Sequence, residues 1–294
     1  MLILISDPFD ASLPGLLSPY GEVTDDAGRL AQADVVLVRS RTKCTKEYID
    51  SAKNLKLIIR GGVGIDNIDV EYAKSKGIVV RNTPRASAIA VAELAFALMI
   101  SVPNHLVEMD TSMKRGEWLK KTKRTELYGK TLALIGMGNI ASILAARAEA
   151  FGMRVVAYDK FVKESKFATM MDSPEEAVRY ADYISLHLPL TDETKGMVCN
   201  RLLGACTKKP VLINTGRGLC VDAECVAQAL KDGKLSWYTT DVYPSDPPAP
   251  DYPLLHCERV TLTPHIGANS VENLLRIGDE VVTTIDELVR GGAL

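Results

Sequence analysis

One short glycine-containing stretch of this sequence has a residue spacing that is typical of a binding site. Residues 136–141 (GMGNIA) directly follow the apolar run TLALI and lead into the helical pattern NIASILAARAEAF. In this context the first glycine permits a tight turn and the second lets backbone approach a pyrophosphate, while the helix start offers unpaired N–H groups. The stretch therefore predicts a dinucleotide fingerprint, with Ala141 in place of a third glycine.

A carboxylate follows at the end of the next predicted strand, MRVVAYD. Asp159 lies about 20 residues beyond the glycines, where such a group accepts hydrogen bonds from a ribose and repels a 2′-phosphate. By itself the glycine spacing also fits a plain strand-to-helix turn. Together the strand, the helix and the acid predict an NAD site and favour NAD over NADP.

Three later segments carry the residue types that hydride chemistry needs besides a nicotinamide. They are residues 214–218 (NTGRG), 241–248 (DVYPSDPP) and 263–268 (TPHIGA), and each follows a strand-like run. The carboxyl ends of parallel strands gather at one edge of a sheet, so these segments are expected to meet there. Histidine changes charge near neutral pH and arginine binds a carboxylate with two parallel bonds. The segments thus predict an acid/base and an anion-binding cation.

The surrounding elements are expected to form two α/β domains. From Thr131 onward six strand-like runs alternate with amphipathic helices, and the first hundred residues hold four more, LILI, VVLV, KLIIR and GIVV. We predict two doubly wound parallel-sheet domains. A Rossmann NAD-binding domain (101–269) is inserted in a flavodoxin-like substrate domain (1–100 plus 270–294), and two long helices, near 86–101 and 270–290, cross between the domains.

Composition excludes several other classes of protein. The 294 residues carry a formal net charge of −2 with both signs dispersed, so we expect no nucleic-acid or membrane-surface partner. The apolar stretch 86–103 includes Glu93 and falls short of a membrane span. The amino terminus lacks the basic lead of a signal peptide, and six scattered cysteines lack metal-ligand spacing. These features predict a cytoplasmic protein without a metal.

These segments, together with RGGVGIDNID (60–69) and TELYGKTL (125–132), resemble the D-isomer-specific 2-hydroxyacid dehydrogenase family nearly end to end. The resemblance implies that His265 is the acid/base, that Asp246 is its carboxylate partner, and that Arg217 binds the substrate carboxylate and polarises the keto oxygen. Asp246 stands where most members carry glutamate, so its carboxylate is one methylene shorter.

The same resemblance implies further residues that contact the cofactor. Asn139 replaces a common arginine beside the pyrophosphate, Gly216 replaces a common alanine, and Asp241 is expected to accept from the nicotinamide carboxamide. The predicted cofactor contacts are Gly136, Gly138, Asn139, Ile140, Asp159, Pro189, Thr215, Gly216, Asp241, Gly267 and Ala268. Because glycine allows a close approach, the backbone amides of Gly62, Val63 and Gly64 are predicted to bind the substrate carboxylate. Four arginines are grouped in loops of the first domain, and Arg39 and Arg60, together with Arg41 and Arg85, are predicted to bind a substrate phosphate.

The sequence therefore predicts an NAD-dependent dehydrogenase of a small D-2-hydroxy acid. Within the family, RGGVGIDNID, NTP (82–84) and TELYGKTL most resemble the phosphoglycerate dehydrogenase branch, which implies the pair 3-phosphoglycerate and 3-phosphohydroxypyruvate. A glyoxylate/hydroxypyruvate or D-lactate-type reductase is the alternative, because it would use the same Arg217, Asp246 and His265 without a phosphate pocket. A non-enzymatic NADH-sensing scaffold is a further alternative. The apolar stretch 86–103 and the resemblance predict a homodimer.

Overall fold

The computed structural model describes residues 1–292 and 294, and the chain divides into two compact units. The first unit comprises residues 1–90 and 268–294, and the second comprises residues 91–267. The sequence-based boundaries were 100/101 and 269/270. The first division thus falls inside a long helix and not after it.

The helices and strands alternate along both units. The strands are β1 Leu2–Ile5, β2 Glu22–Thr24, β3 Val35–Val38, β4 Leu57–Arg60, β5 Val79–Asn82, β6 Thr131–Ile135, β7 Arg154–Tyr158, β8 Thr169–Met170, β9 Tyr183–Leu186, β10 Val211–Asn214, β11 Trp237–Thr240 and β12 Val260–Leu262. The α-helices are α1 Leu13–Leu17, α2 Lys46–Ser51, α3 Val70–Ser75, α4 Ala88–Ser101, α5 Leu106–Lys114, α6 Asn139–Ala150, α7 Pro174–Val178, α8 Asn200–Gly204, α9 Ala223–Lys231 and α10 Val271–Arg290.

The first unit is a five-stranded parallel sheet in the order β2-β1-β3-β4-β5, which is the flavodoxin-like order. Because β1, β3 and β4 are covered on both faces, their side chains are almost entirely apolar. Helix α10 packs against one face of this sheet through Ile277, Val281 and Ile285, which recur at helical spacing. The sequence predicted four strands here, and β2 is the fifth.

The second unit is a seven-stranded parallel sheet in the order β12-β11-β10-β9-β6-β7-β8. Numbered within the unit, this is the 3-2-1-4-5-6 order of a dinucleotide-binding domain with one strand added at the β12 edge. The sequence predicted six strands, and the two-residue β8 is the one it lacked. Chain order reverses between β6 and β9, where ligands bind in such sheets.

Two properties of the described residues bear on the excluded classes. Within residues 1–292 and 294, no single helix meets the length and hydropathy needed to cross a bilayer, although the bent pair α4 and α5 meets them jointly. The same residues hold no group of three or more His, Cys, Asp or Glu arranged to bind a metal ion.

Candidate active site

The glycine turn after β6 has the geometry of a cradle for phosphate groups. Gly136 has φ +93°, and a Cβ on it would lie 2.4 Å from the carbonyl oxygen of His187, so only glycine fits. Gly138 is the N-cap of α6 and makes no side-chain cap, while a Cβ there would meet nothing within 4 Å. The N-terminus of α6 therefore has no side-chain cap, and the space beside Gly138 is open. Gly138 also lines a cavity of about 840 Å³, so these residues fit a dinucleotide.

Asp159 lines the same cavity and is held by the backbone around the glycine turn. Its carboxylate accepts hydrogen bonds from the N–H groups of Met137 (2.7 Å), Phe161 (2.7 Å) and Val162 (3.0 Å). Burial favours the neutral acid, but these three bonds outweigh it, and the pKa of Asp159 lies below its usual value. The group is thus a fixed anion beside the glycine turn.

The three chemistry-bearing segments begin side by side at one edge of the sheet. Asn214, Thr240 and Leu262 are paired in register at the ends of β10, β11 and β12. Two of the segments also touch, because a Cβ on Gly218 would lie 2.2 Å from the carbonyl carbon of Tyr243. The sheet therefore brings together the three segments that the sequence predicted to meet.

His265 and Asp246 are in direct contact. The ring Nδ1 of His265 is hydrogen-bonded to Oδ2 of Asp246, and the two side chains are 38% and 39% exposed. An ionised carboxylate only accepts, so this bond places the ring proton on Nδ1 and directs Nε2 to a different partner. The shorter side chain of aspartate is thus long enough to reach the ring.

A second carboxylate organises the backbone that carries His265. The side chain of Asp241 is 2% exposed and accepts from Thr263 Oγ1 (2.7 Å), Ile266 N (2.8 Å) and Gly267 N (2.8 Å). His265 lies between these donors with φ +54°, in the left-handed region that a non-glycine residue seldom adopts. The sequence predicted only that Asp241 contacts the cofactor. Its bonds to the His265 segment could not be predicted, because they join residues more than twenty positions apart.

Arg217 follows β10 in a tightly folded loop. Its Nη1 donates to the carbonyl of Gly216 (2.8 Å), and its own carbonyl accepts from Asn214 Nδ2 (3.0 Å). The hydroxyl of Thr215 is buried without a hydrogen-bond partner. A Cβ on Gly216 would lie 3.1 Å from the carbonyl oxygen of Leu186, so an alanine at this position would have to push that backbone aside.

The predicted substrate residues of the first unit have protein partners. Gly62 has φ +140°, and a Cβ on it would lie 1.5 Å from Arg60 Nη1, so the guanidinium packs where a side chain would stand. The N–H of Gly62 donates to Thr83 Oγ1 (2.7 Å). Arg39 Nη2 donates to the carbonyl of Ala268 (3.2 Å) and to Asn269 Oδ1 (2.9 Å). Substrate binding by Arg39, Arg60 and residues 62–64 stays a prediction.

The remaining predicted cofactor residues lie near the glycine turn or in the segment that carries His265. Asn139 and Ile140 form the first turn of α6, and Pro189 lines the 840 Å³ cavity. Gly267 donates to Asp241, and the carbonyl of Ala268 accepts from Arg39. Their contacts with a cofactor stay predictions.

His187 is a site residue to which the sequence assigned no chemical role. It follows β9 and lines the cavity beside Gly138, with Nε2 2.9 Å from Ser185 Oγ and Nδ1 buried without a partner. Burial lowers its pKa to about 4, so the ring is neutral near pH 7. The fit of its carbonyl against Gly136 fixes the spacing between β9 and the glycine turn.

Comparison with known proteins gives a consistent result. A family model described as D-isomer specific 2-hydroxyacid dehydrogenase, NAD binding domain, matches residues 96–267. The D-3-phosphoglycerate dehydrogenase of Methanocaldococcus jannaschii is 40% identical over 98% of this chain and 57% of its own length. The hydroxypyruvate reductase of Thermotoga maritima is 39% identical over 96% of each chain. This chain therefore spans little more than half of the first relative and nearly all of the second.

Solved structures show the same likeness over the whole chain. The TT0316 protein of Thermus thermophilus superposes with a TM-score of 0.89 at 32% identity, covering 99% of this chain and 97% of that one. The D-lactate dehydrogenase of Aquifex aeolicus, complexed with NAD and lactic acid, gives a TM-score of 0.87 at 30% identity, with coverage of 99% and 96%.

Proposed function

The chain belongs to the D-isomer specific 2-hydroxyacid dehydrogenase family, and we propose that it interconverts a small D-2-hydroxy acid and its 2-oxo acid by NAD-dependent hydride transfer. The observation that carries this proposal is the contact of His265 with Asp246 at the sheet edge where Arg217 also lies. Acid/base, orienting carboxylate and anion-binding cation are the three groups that such a reaction requires from protein.

The reaction divides among these residues as follows. NAD, when bound, supplies the hydride acceptor, and the glycine turn and Asp159 are the groups that would hold its pyrophosphate and ribose. In oxidation Nε2 of His265 takes the proton of the substrate hydroxyl, and in reduction it returns that proton to the keto oxygen. Asp246 keeps the ring in the required tautomer and stabilises the imidazolium. Arg217 binds the substrate carboxylate with its planar fork and polarises the keto oxygen.

For the substrate, we propose 3-phosphoglycerate and 3-phosphohydroxypyruvate as the pair. Support comes from relatives named D-3-phosphoglycerate dehydrogenase, which are 40%, 37% and 37% identical to this chain. Hydroxypyruvate is the second candidate, and two observations favour it. The relative named hydroxypyruvate reductase matches along nearly its whole length. In addition, Arg39 is bonded to Ala268 and Asn269, and Arg41 lies 3.4 Å from Asp7, so both arginines already have protein partners.

A comparison of 2-oxo acids tests this proposal. NADH oxidation is measured with 3-phosphohydroxypyruvate, hydroxypyruvate, glyoxylate and pyruvate, and kcat/KM is compared. We expect the phosphorylated acid to be preferred, and Arg60→Gln to raise KM for that acid alone. A preference for an unphosphorylated acid would support the second candidate. No turnover with any of the four acids would contradict the proposed dehydrogenase activity and favour an NADH-binding scaffold.

We also propose that the protein is a cytoplasmic homodimer. The sequence placed the dimer surface on residues 86–103, but among the large apolar side chains of α4 only Ile89 is exposed, and the others are buried or half-buried. The exposed apolar side chains continue instead along α5 and just beyond it, at Leu106, Val107, Met113, Trp118 and Leu119. Exposed apolar side chains concentrated in one segment are typical of an interface, and we assign this segment to contact with a second copy of this chain. The scattered cysteines are compatible with a reducing compartment.

A further inference from the structure

Two ion pairs line the cavity beside Asp159, and the proposed reaction uses neither. Lys160 Nζ lies 2.8 Å from each carboxylate oxygen of Glu193. Arg201 Nε lies 2.5 Å from Glu175 Oε1. All four side chains line the same 840 Å³ cavity as Asp159. The part of the chain predicted to bind the adenosine end of the cofactor therefore contains two cations, each held by a carboxylate.

The charge of this cavity disfavours an additional phosphate. Its lining includes the four carboxylates of Asp159, Glu175, Asp192 and Glu193 and the two cations of Lys160 and Arg201, which leaves a net charge of −2. NADP differs from NAD by a 2′-phosphate, and a phosphate monoester carries roughly two negative charges at neutral pH. Dinucleotide sites that accept this phosphate present a cation to it. Here both cations are already paired.

Lys160 is the cation best placed to change this preference, because it directly follows Asp159 in the chain. Its ammonium is held by both oxygens of Glu193 and lies 5.9 Å from the centroid of the Phe161 ring. Lys160 and Glu193 are 57% and 71% exposed, so the pair contributes little to folding. A function in ligand selection explains a bidentate pair at this position better than stability does.

Building on the proposed NAD-dependent function, we propose that Glu193 is a specificity-determining residue, which excludes NADP by adding a carboxylate to the cavity and by occupying Lys160. Asp159 begins the selection against a 2′-phosphate, and Glu193 strengthens it. The proposed selection against NADP is electrostatic, and the charges involved are partly exposed to solvent. The discrimination between NAD and NADP should therefore weaken as the ionic strength rises.

Equilibrium binding of the two reduced cofactors tests this role without reference to turnover. NADH and NADPH are titrated into the wild type, Glu193→Gln and the double variant Glu193→Gln/Lys160→Gln at low ionic strength, with nicotinamide fluorescence as the signal. We expect Glu193→Gln to lower the ratio of Kd for NADPH to Kd for NADH about tenfold, because a repulsive charge is lost and Lys160 is released. The double variant should lose most of that gain.

Asp192→Asn is the matched control, since it removes one negative charge from the same cavity and leaves the pairs of Lys160 with Glu193 and of Arg201 with Glu175 in place. It should change the ratio less than Glu193→Gln does. An unchanged ratio in Glu193→Gln, or equal changes in all three variants, would overturn the role assigned to Glu193. A wild-type protein that binds neither cofactor would instead refute the proposed function.

Discussion

The position of His265 depends on two carboxylates that act on different parts of the residue. Asp246 bonds the ring, whereas Asp241 bonds the chain on both sides of it, through the hydroxyl of Thr263 before it and the backbone N–H groups of Ile266 and Gly267 after it. The left-handed φ of His265 costs about 1–2 kcal/mol for an ordinary side chain, and three bonds to a buried anion offset such a cost. We therefore infer that Asp241 is a positioning residue for His265, besides any contact it makes with a cofactor.

Replacing Asp241 by asparagine separates these roles. The amide keeps the shape but turns one acceptor into a donor that faces an N–H or hydroxyl of the His265 loop. Hydrogen bonds to charged groups contribute about 1.5–3 kcal/mol, so we expect kcat to fall roughly ten- to hundredfold. The Kd for NADH should change much less, and the pH profile of kcat should shift because the ring is displaced. A raised Kd with unchanged kcat would contradict the positioning role.

His187 makes folding stability depend on pH. In the unfolded chain a histidine takes up a proton near pH 6.5, whereas burial lowers the pKa of His187 in the folded protein to about 4. Between these values the unfolded state binds more protons, so the free energy of unfolding falls as the pH falls, by up to about 3 kcal/mol. Urea denaturation at several pH values should show this slope reduced in His187→Gln. Identical slopes in the two proteins would refute the assignment.

At the level of elements, the register of β10, β11 and β12 determines where the segments that carry Arg217, Asp246 and His265 begin. Each strand is short, and the loop after it leaves the sheet at the same edge. The loop after β10 and the loop after β11 are in close backbone contact at Gly218. This contact sets the distance between Arg217 and the segment that carries Asp246. The spacing between cation and carboxylate therefore depends on a residue without a side chain.

Gly218→Ala should disturb both loops. The new Cβ would lie 2.2 Å from the carbonyl carbon of Tyr243, and backbone has to move to relieve that clash. Overpacking of this kind lowers the free energy of unfolding by about 1–3 kcal/mol. We also expect a loss of kcat, because Arg217 directly precedes Gly218 in the chain. Denaturant unfolding and steady-state kinetics measure the two effects. Gly204→Ala is the control, since its Cβ would meet nothing within 4 Å, and equal results for both variants would contradict this account.

For the whole molecule, the sequence predicted both sheets from the alternation of apolar runs with helical patterns. It did not predict β2 or β8, because each pairs with a single neighbouring strand, is two or three residues long, and has no buried side chain to produce a pattern. At the site, the residues at strand ends were predictable, since parallel strands bring them to one edge. The bonds of Arg39 to Ala268 and Asn269 were not, because they join residues more than two hundred positions apart.

The proposed dimer surface can be tested by charge substitution. Val107 is 62% exposed on α5, so Val107→Asp should not disturb the core but would bury a charge in the interface. Light scattering should give twice the mass of one chain for the wild type and the mass of one chain for the variant. Val271→Asp, at an equally exposed apolar residue of α10, should remain dimeric. A monomeric wild type would refute the dimer.

The most direct test of the central claim is the effect of His265→Ala on turnover and on cofactor binding, measured in the same preparation. Because the imidazole acts on the substrate proton and not on the cofactor, we predict that kcat for NADH-dependent reduction of the preferred 2-oxo acid falls by at least a factor of about 10² while the Kd for NADH stays within a few-fold of wild type. Retained kcat in the variant would contradict the assignment of His265 as the acid/base.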